Sequence, residues 1–409
     1  MKKFFFLLLL LLLPLCGAQA EEVVIVEASD MHYLSHTLVT GEEYFMQIIE
    51  QSDGKMTHYS PEICQAFVDE MLTLRPNAVI LSGDLTLNGA MESHLEFAEL
   101  LRPLQEAGVA VLALPGNHDP MGYAYAFTPE GPVTISGMRQ EQFVEVYHPY
   151  GWDGARSRDT VSYSYMYELT PELWILLIDV NANTTHDIVR ASTLAWAEQQ
   201  LQEAQAAGAQ VISVTHQNLL EHQKLFTSGY QIINANKLIE LYTRYGVRLN
   251  LSGHMHMQHV ARQEGITDIA TEALAVDPCK YGVIRIADGA LRYDTQVLNV
   301  AAWAEKTGVT DENLLHFAEY AADFFYQLNI RKMRRNIAEE VDADTLEAML
   351  AYATGVNAAY FYGTLDITNE DPGLALWRQY APDAFFTRYM QLMLAEPMED
   401  MNHVVIPWP

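Results

Sequence analysis

The chain has 409 residues, half of them hydrophobic, and a formal net charge of −29 from 24 basic and 53 acidic residues. That length holds one large domain with a small one, or two ordinary ones, with a sizeable core. So acidic a balance excludes a nucleic-acid groove, which needs a basic footprint, and it favours solubility and the attraction of cations.

Residues 1–20 read as a targeting segment. Lys2 and Lys3 precede an apolar run from Phe4 to Leu15, and Ala18-Gln19-Ala20 forms a small-residue cleavage signal before Glu21, the pattern of a secretory signal peptide. The run is too short to span a bilayer comfortably. A secreted or cell-surface protein without a stable membrane span is therefore expected. Lipid anchoring at Cys16 is the alternative, although Leu15 is a poor residue before a lipidated cysteine. Beyond the segment, Cys64 and Cys279 can pair outside the cell or stay unpaired and buried.

The first predicted strand is Val23 to Ala28, ending at Asp30. A helix follows over Ser60 to Leu74, with Ser60 as N-cap and Pro61 at the first helical position. Ala78 to Leu81 is a strand ending at Gly83-Asp84. Glu92 to Ala107 reads as a helix stopped by Gly108, and Val109 to Leu114 as a strand running into Gly116-Asn117-His118-Asp119. The aromatic-rich stretch from Tyr123 to Tyr167 reads as a lid-like insertion with one helix and an outer strand. Strands over Leu173 to Ile178, Val211 to Val214 and Val247 to Leu251 alternate with helices over Ser192 to Ala207 and Ala235 to Tyr245. Two more strands form a hairpin around Asp288-Gly289. Strands alternating with helices indicate an α/β domain. From about residue 311 to 396 helix-period apolar positions take over, among them Leu314, Phe317, Ala321, Phe324 and Leu328. A boundary is placed near residues 300–310. The basic cluster Arg331, Lys332, Arg334 and Arg335 reads as a surface between two helices that pairs with the acidic main domain.

Five short motifs carry the chemistry: Asp30-Met31-His32, Gly83-Asp84, Gly116-Asn117-His118-Asp119, a lone His216, and Gly253-His254-Met255-His256. Most follow runs of β-branched and aliphatic residues, as loops leaving strand ends do. Carboxylate, amide and imidazole donors collected on such loops suit hard-to-borderline metals. Each motif has a bland reading: a lone Asp-x-His is usually a turn, a Gly-Asp a loop, a single His216 a satisfied polar residue. The ordered set points to metal-assisted hydrolysis, in which two ions clamp a phosphoryl group and supply hydroxide at neutral pH. Asp84 is placed to bridge the ions. Asp30 and His32 can share one ion, His254 and His256 can serve one each, and Asn117 and His216 complete seven protein ligands. His118 can bond a phosphoryl oxygen or protonate the leaving group, and Asp119 can orient it.

These motifs resemble the calcineurin-like metallophosphoesterases, and the resemblance covers residues 23–300. It implies a four-layer α/β/β/α sandwich with the metals at the strand ends. It implies that Asp30, His32, Asp84 and His256 hold one ion and that Asp84, Asn117, His216 and His254 hold the other. His118 becomes the catalytic histidine, and the cofactors two divalent or trivalent ions, manganese, iron or zinc. Many relatives have two adjacent histidines at the fourth motif, whereas Gln217 follows His216 here. Flanking words are similar to secreted bacterial cyclic-nucleotide phosphodiesterases with a helical C-terminal domain: Ser29 to Ser35, Gly83 to Gly89 with Ser93-His94, and the helical tail. The expected division is a signal peptide over 1–20, a metallophosphoesterase domain over 21–304 and a small all-helical domain over 305–409.

The resulting expectation is a secreted di-metal phosphoesterase acting on small phosphodiesters such as cyclic nucleotides by attack of a metal-bound hydroxide. A broad phosphomonoesterase or nucleotidase with the same ligands is the alternative enzyme, and a non-catalytic scaffold is the reading from another class. The partner is then a small phosphoester, with no nucleic acid. Substrate choice is expected from the Tyr123 to Tyr167 insertion, where Tyr123, Tyr125 and Phe127 can stack on a base or form local core. His222 can touch phosphate or lie on the surface. His94 reads as a packing or hydrogen-bonding residue, and the region beyond residue 310 is expected to supply no ligands.

Overall fold

The computed structural model describes residues 22–181, 186–337, 341–366, 372–397 and 399–409. The signal segment over 1–20, with its Cys16 alternative, lies outside the described residues. Two sheets form the centre. The first has six strands in the order His403–Pro407, Ala290–Val297, Lys280–Ala287, Val23–Ala28, Ala78–Leu81 and Ala110–Ala113. Its last three are mutually parallel, with Val26 opposite Val79 and Val79 opposite Val111. The second has seven strands in the order His259–Gln263, Ile266–Ala270, Leu249–Ser252, Gln210–Thr215, Leu173–Ile178, Tyr165–Thr170 and Ser157–Arg158.

The interior strand Leu173–Ile178 shows why the sheets stack. It is buried at every position. Ile175 and Leu177 join the core shared with the first sheet, which includes Ile80 and Leu112. Trp174, Leu176 and Ile178 face the opposite way, into a core with Ala197 and Leu201 of helix Ala191–Ala207 and Leu238 and Tyr242 of helix Ala235–Tyr245. A period-2 strand buried on both faces reads as one unbroken apolar run. Helices Ser60–Leu74 and Met91–Glu106 pack into the first core through Ile63, Phe67 and Leu101. The result is the α/β/β/α sandwich implied by the motifs. Ser60 opens its helix rather than capping it: its hydroxyl accepts from the Leu34 N–H at 3.0 Å and donates to the Thr57 carbonyl at 2.9 Å.

The helical region starts with Val300–Thr307, capped by the Asn299 side chain, and continues through Glu312–Leu315, Phe317–Arg334, Ala343–Phe361, Pro372–Tyr380 and Phe385–Met393. Its core gathers Met333, Met349, Val356, Trp377 and Met390 around Met255 and Met257 of the α/β part. The chain then returns as strand His403–Pro407, which pairs antiparallel with Ala290–Val297 at the sheet edge; this strand has no counterpart in the sequence reading. Cys64 and Cys279 are both free and buried. Among the described residues no helix is long and apolar enough to cross a membrane.

The Tyr123 to Tyr167 stretch differs from the expected lid. It opens with a separate two-stranded hairpin, Tyr123–Thr128 with Gly131–Ser136, which leaves Tyr123 46% and Tyr125 38% exposed. Helix Gln140–Tyr147 then packs Phe143 and Tyr147 into the first core. The basic cluster differs too: Arg331, Lys332 and Arg334 lie in the last turn of helix Phe317–Arg334, where cations favour the helix dipole.

Candidate metal centre

The motif loops are pinned to one another by main-chain bonds before any side chain is considered. Asp30 and His32 donate their N–H groups to the carbonyls of Gly83 and Asp84, each at 3.0 Å, and Gly253 donates to the His216 carbonyl at 3.0 Å. Five of the predicted ligands sit in left-handed backbone: Asp30 (φ 53°), His32 (44°), Asp84 (50°), His254 (67°) and His256 (56°). Each such residue costs on the order of 1–3 kcal/mol and persists only where its surroundings over-determine it. Gly83 adopts φ 107°, and a Cβ there would stand 2.4 Å from the His216 ring. At Gly253 a Cβ would stand 1.7 Å from Ser29 Oγ and 2.6 Å from Asp30 Oδ2. The glycines are therefore required by close approach of the loops.

Two donor sets result, and Asp84 belongs to both. Asp30, His32, Asp84 and His256 form one, and Asp84, His216 and His254 the other, with the donor atoms of each set within 4.8 Å of one another. Asn117 joins the second set, its Oδ1 3.1 Å from His216 Nε2. All seven predicted ligands thus converge. Neither set includes a described residue beyond His256.

Outer partners decide which ring nitrogen faces inward. His216 Nδ1 donates to the Ser82 carbonyl at 2.9 Å, and His254 Nε2 to the Gly229 carbonyl at 2.7 Å. A carbonyl can only accept, so each of these nitrogens carries a proton, and in the neutral ring the other nitrogen of each is the one that presents a lone pair to the donor set. His256 Nδ1 lies 3.2 Å from Asp53 Oδ2, which fixes the same outcome. His256 Nε2 then faces His32 Nε2 at 3.2 Å and Asp30 Oδ1 at 3.2 Å. Asp30 Oδ1 is buried without a hydrogen-bond donor. Lone pairs that converge in this way, with an orphaned carboxylate oxygen among them, fit bound cations.

The titration pattern says the same. Burial works against a charged ring at His216 and His256, yet the carboxylates of Asp84 and Asp30 override it and raise the rings to about 10 and about 9. Burial opposes the ionised form of Asp84, and the surrounding histidines hold it well below the usual carboxylate range. His254 falls to about 4, through burial and the His216 charge. The carboxylates demand positive charge, and bound cations would meet that demand directly.

His118 stands beside the shared carboxylate. Its Nδ1 donates to the Leu87 carbonyl at 2.6 Å, and its Nε2 is 3.8 Å from Asp84 Oδ2. Asp119 does not orient it, contrary to expectation. The Asp119 carboxylate turns inward and accepts from the N–H groups of Leu85 (3.1 Å), Thr86 (3.0 Å) and Gly116 (2.8 Å) and from the Thr86 hydroxyl (3.1 Å). Successive side chains on that turn point apart, so Asp119 ties the Gly83-Asp84 loop to the Gly116 loop. Burial and the Asp84 charge raise its carboxyl to about 7. Gln217 also turns away, bonded to Asn181 and Asp187. His222 is neither exposed nor beside the metal donors: it is buried between Asp268 (3.2 Å) and His259 (3.0 Å). His94 bonds Thr86 and Tyr147 in the interior.

The donors lie at the floor of a cleft of about 540 Å³. Its aromatic walls do not come from the Tyr123 to Tyr167 insertion. They come from Phe226 and Tyr230 and, from the helical region, Phe325, Phe361, Phe385 and Tyr389; Asp53, Lys55 and Lys332 also line the cleft. Sequence reasoning missed Asp53 and Lys55, which lie in no motif. Lys332 was visible only as part of a basic cluster.

Comparisons with known proteins agree with this geometry. Residues 24–258 match the family model described as calcineurin-like phosphoesterase, and residues 299–400 match the C-terminal domain of cyclic nucleotide phosphodiesterase. A protein of Ruthia magnifica subsp. Calyptogena magnifica named "Probable cyclic nucleotide phosphodiesterase" is 28% identical over 86 residues, 21% of this chain and 34% of that protein. The match therefore spans about a third of that relative's length. A dimetal phosphatase from Danio rerio shares the fold with a TM-score of 0.50 at 11% identity, over 67% of this chain and 96% of that chain. A purple acid phosphatase from yellow lupin (Lupinus luteus) superposes with a TM-score of 0.43 at 11% identity, over 68% of this chain and 52% of that chain. With its sandwich fold, its ordered motifs and a family match over more than half its length, the chain belongs to the calcineurin-like phosphoesterase family.

Proposed function

We propose that this protein is a metal-dependent hydrolase of small phosphodiesters, with cyclic nucleotides as the substrate class. The observation that carries the reading is the pair of donor sets sharing Asp84 at the floor of the cleft, with His118 alongside. Bound ions in such a site polarise the phosphoryl group and activate water. The protein's own groups do the rest. The Leu87 carbonyl fixes the His118 ring with Nδ1 protonated. Its Nε2 can therefore hold a second proton and pass it to the leaving oxygen. Asp84 keeps negative charge between the two donor sets. The cleft walls leave room for an organic substituent. The cyclic-nucleotide assignment is supported by the match over residues 299–400 and by the name of the Ruthia relative. Export is proposed on the pattern of residues 1–20, and protein recovered outside the cell should begin at Glu21.

The test is a steady-state panel on manganese-loaded protein: a 3′,5′-cyclic nucleotide, the corresponding 5′-monophosphate, an aryl phosphodiester and duplex DNA. The cyclic nucleotide should be turned over fastest among the nucleotides, and chelation should abolish turnover of every substrate. A preference for the monophosphate of about tenfold or more, on the order of 1.4 kcal/mol, would establish the phosphatase reading instead.

A further inference from the structure

Lys332 stands out in a chain with 53 acidic residues. Of the other described lysines, Lys306 pairs with Asp69, Lys55 with Asp53, Lys237 with Glu240 and Lys280 with Glu272, while Lys224 is exposed to solvent. Lys332 is half-buried and lines the metal cleft, yet it has no carboxylate within 4 Å among the described residues. Asp53, the acid that acts on it most strongly, is already taken: Lys55 lies 3.3 Å from one oxygen and His256 3.2 Å from the other. Burial pulls the Lys332 ammonium down from the ordinary lysine value, and Asp53 only partly offsets this. A desolvated ammonium without a partner is costly. An anion entering the cleft would supply the partner.

The rest of the cleft defines what that anion carries. In one wall Phe226 packs against Tyr230 (5.2 Å between ring centres) and Tyr389 (5.5 Å), and Phe385 stacks on Tyr389 at 5.7 Å. Tyr230 also touches the His254 ring at 5.2 Å, so this wall reaches down to a metal donor. Phe325 and Phe361, 5.4 Å apart, also line the cleft. Aromatic walls hold flat rings, and stacking on one contributes roughly 1–3 kcal/mol per base. Phe385 is 47% exposed at the mouth of this wall, where an entering ring can meet it.

We propose that the helical region completes the substrate site, with the Lys332 ammonium binding an anionic phosphoryl oxygen while the aromatic walls hold the substrate's nucleobase. The inference rests on the phosphoesterase reading, but it concerns binding and is tested by binding. The probes are inorganic phosphate and adenosine 5′-monophosphate, measured by calorimetry on the manganese-loaded full chain. Lys332→Gln should retain both metal ions by elemental analysis and weaken phosphate at least about tenfold, as expected for loss of a charge-assisted contact. Lys332→Arg should restore most of that affinity. Phe385→Ala should weaken the nucleotide and leave inorganic phosphate unchanged. In the unsubstituted protein, phosphate should also protect Lys332 from acetylation, read by mass spectrometry, while exposed Lys237 reacts at its normal rate. Unchanged phosphate affinity in metal-replete Lys332→Gln, or absent protection of Lys332, overturns the proposal. The two readings fail separately. A protein that binds phosphate through Lys332 without hydrolysing any diester keeps the subsite and loses the function. One that hydrolyses cyclic nucleotides with Lys332 unprotected keeps the function and loses the subsite.

Discussion

Substituting Gly253 by alanine tests whether close contact between loops sets the metal geometry. The added Cβ would lie 1.7 Å from Ser29 Oγ and 2.6 Å from Asp30 Oδ2, against ordinary contacts of 3.4–4 Å. Ser29 is fully buried and has nowhere to withdraw. Its hydroxyl donates to Asp30 Oδ2 at 2.7 Å, and the same oxygen accepts from the His254 N–H at 2.8 Å. Overpacking costs about 1–3 kcal/mol, and each hydrogen bond lost to a charged group about 1.5–3 kcal/mol. One broken bond with overpacking predicts a loss of about 4 kcal/mol, near a thousandfold if it fell wholly on metal affinity. The assay has two parts: denaturant unfolding of the chelated protein and titration of manganese into it. Gly355 is the control, because it lies inside helix Ala343–Phe361 with nothing within 4 Å of an added Cβ. Gly355→Ala should be neutral or stabilising by up to about 1 kcal/mol. If Gly253→Ala keeps both its unfolding midpoint and its manganese affinity, the claim that this contact positions Asp30 is wrong.

Three further outcomes are expected. Asp84→Asn should lose metal and turnover together, because one charge serves both donor sets; near-normal activity with full occupancy would remove Asp84 from the shared position. His118→Asn should keep its metal and slow esters with poor leaving groups about 10²-fold or more beyond activated aryl esters, since proton donation matters least when the leaving group is acidic; an equal loss on both would point to phosphate binding alone. Asp119→Ala should destabilise the protein by about 3 kcal/mol or more, because it strands three buried N–H donors and a hydroxyl. A stable Asp119→Ala protein impaired only in turnover would restore the orienting role that the geometry denies it.

The parts of the fold legible in the sequence are those whose burial is written locally. Ala78–Leu81, Leu173–Ile178 and Ala235–Tyr245 coincide with their predicted bounds. Each is a continuous apolar run or a strong helical stripe bounded by turn residues. The ligand motifs were legible for a related reason: each is a short word at the end of a buried strand. What could not be read is set by partners distant in sequence. Asp53 lies 203 residues from His256, whose ring it holds. The carbonyls of Leu87, Ser82 and Gly229 fix three other rings, and every residue carries a carbonyl. The strand His403–Pro407 is recognisable only by its pairing with Ala290–Val297. The aromatic wall was assigned to the Tyr123 to Tyr167 stretch because it follows the catalytic loop in sequence. Its hairpin instead leaves Tyr123 and Tyr125 exposed.

Met255 connects the two halves of the molecule. In Gly253-His254-Met255-His256 the two histidines reach the donor sets, while the methionine between them is buried in the core of the helical region with Met349, Val356 and Trp377. Both flanking histidines have left-handed backbone, which is what lets alternate side chains diverge in this way. That strain is sustained by packing on each side, so the helical core helps hold two metal ligands without supplying one. The same region brings Lys332 and most of the aromatic lining to the cleft. Its helices therefore meet the site twice, through the core behind the Gly253–His256 loop and through the walls of the cleft. A change deep in that core, at Trp377 for instance, would disturb Met255 and with it the loop that carries His254 and His256. On the reading proposed above, the sandwich would set where a phosphoryl group is held and the helical region what is attached to it.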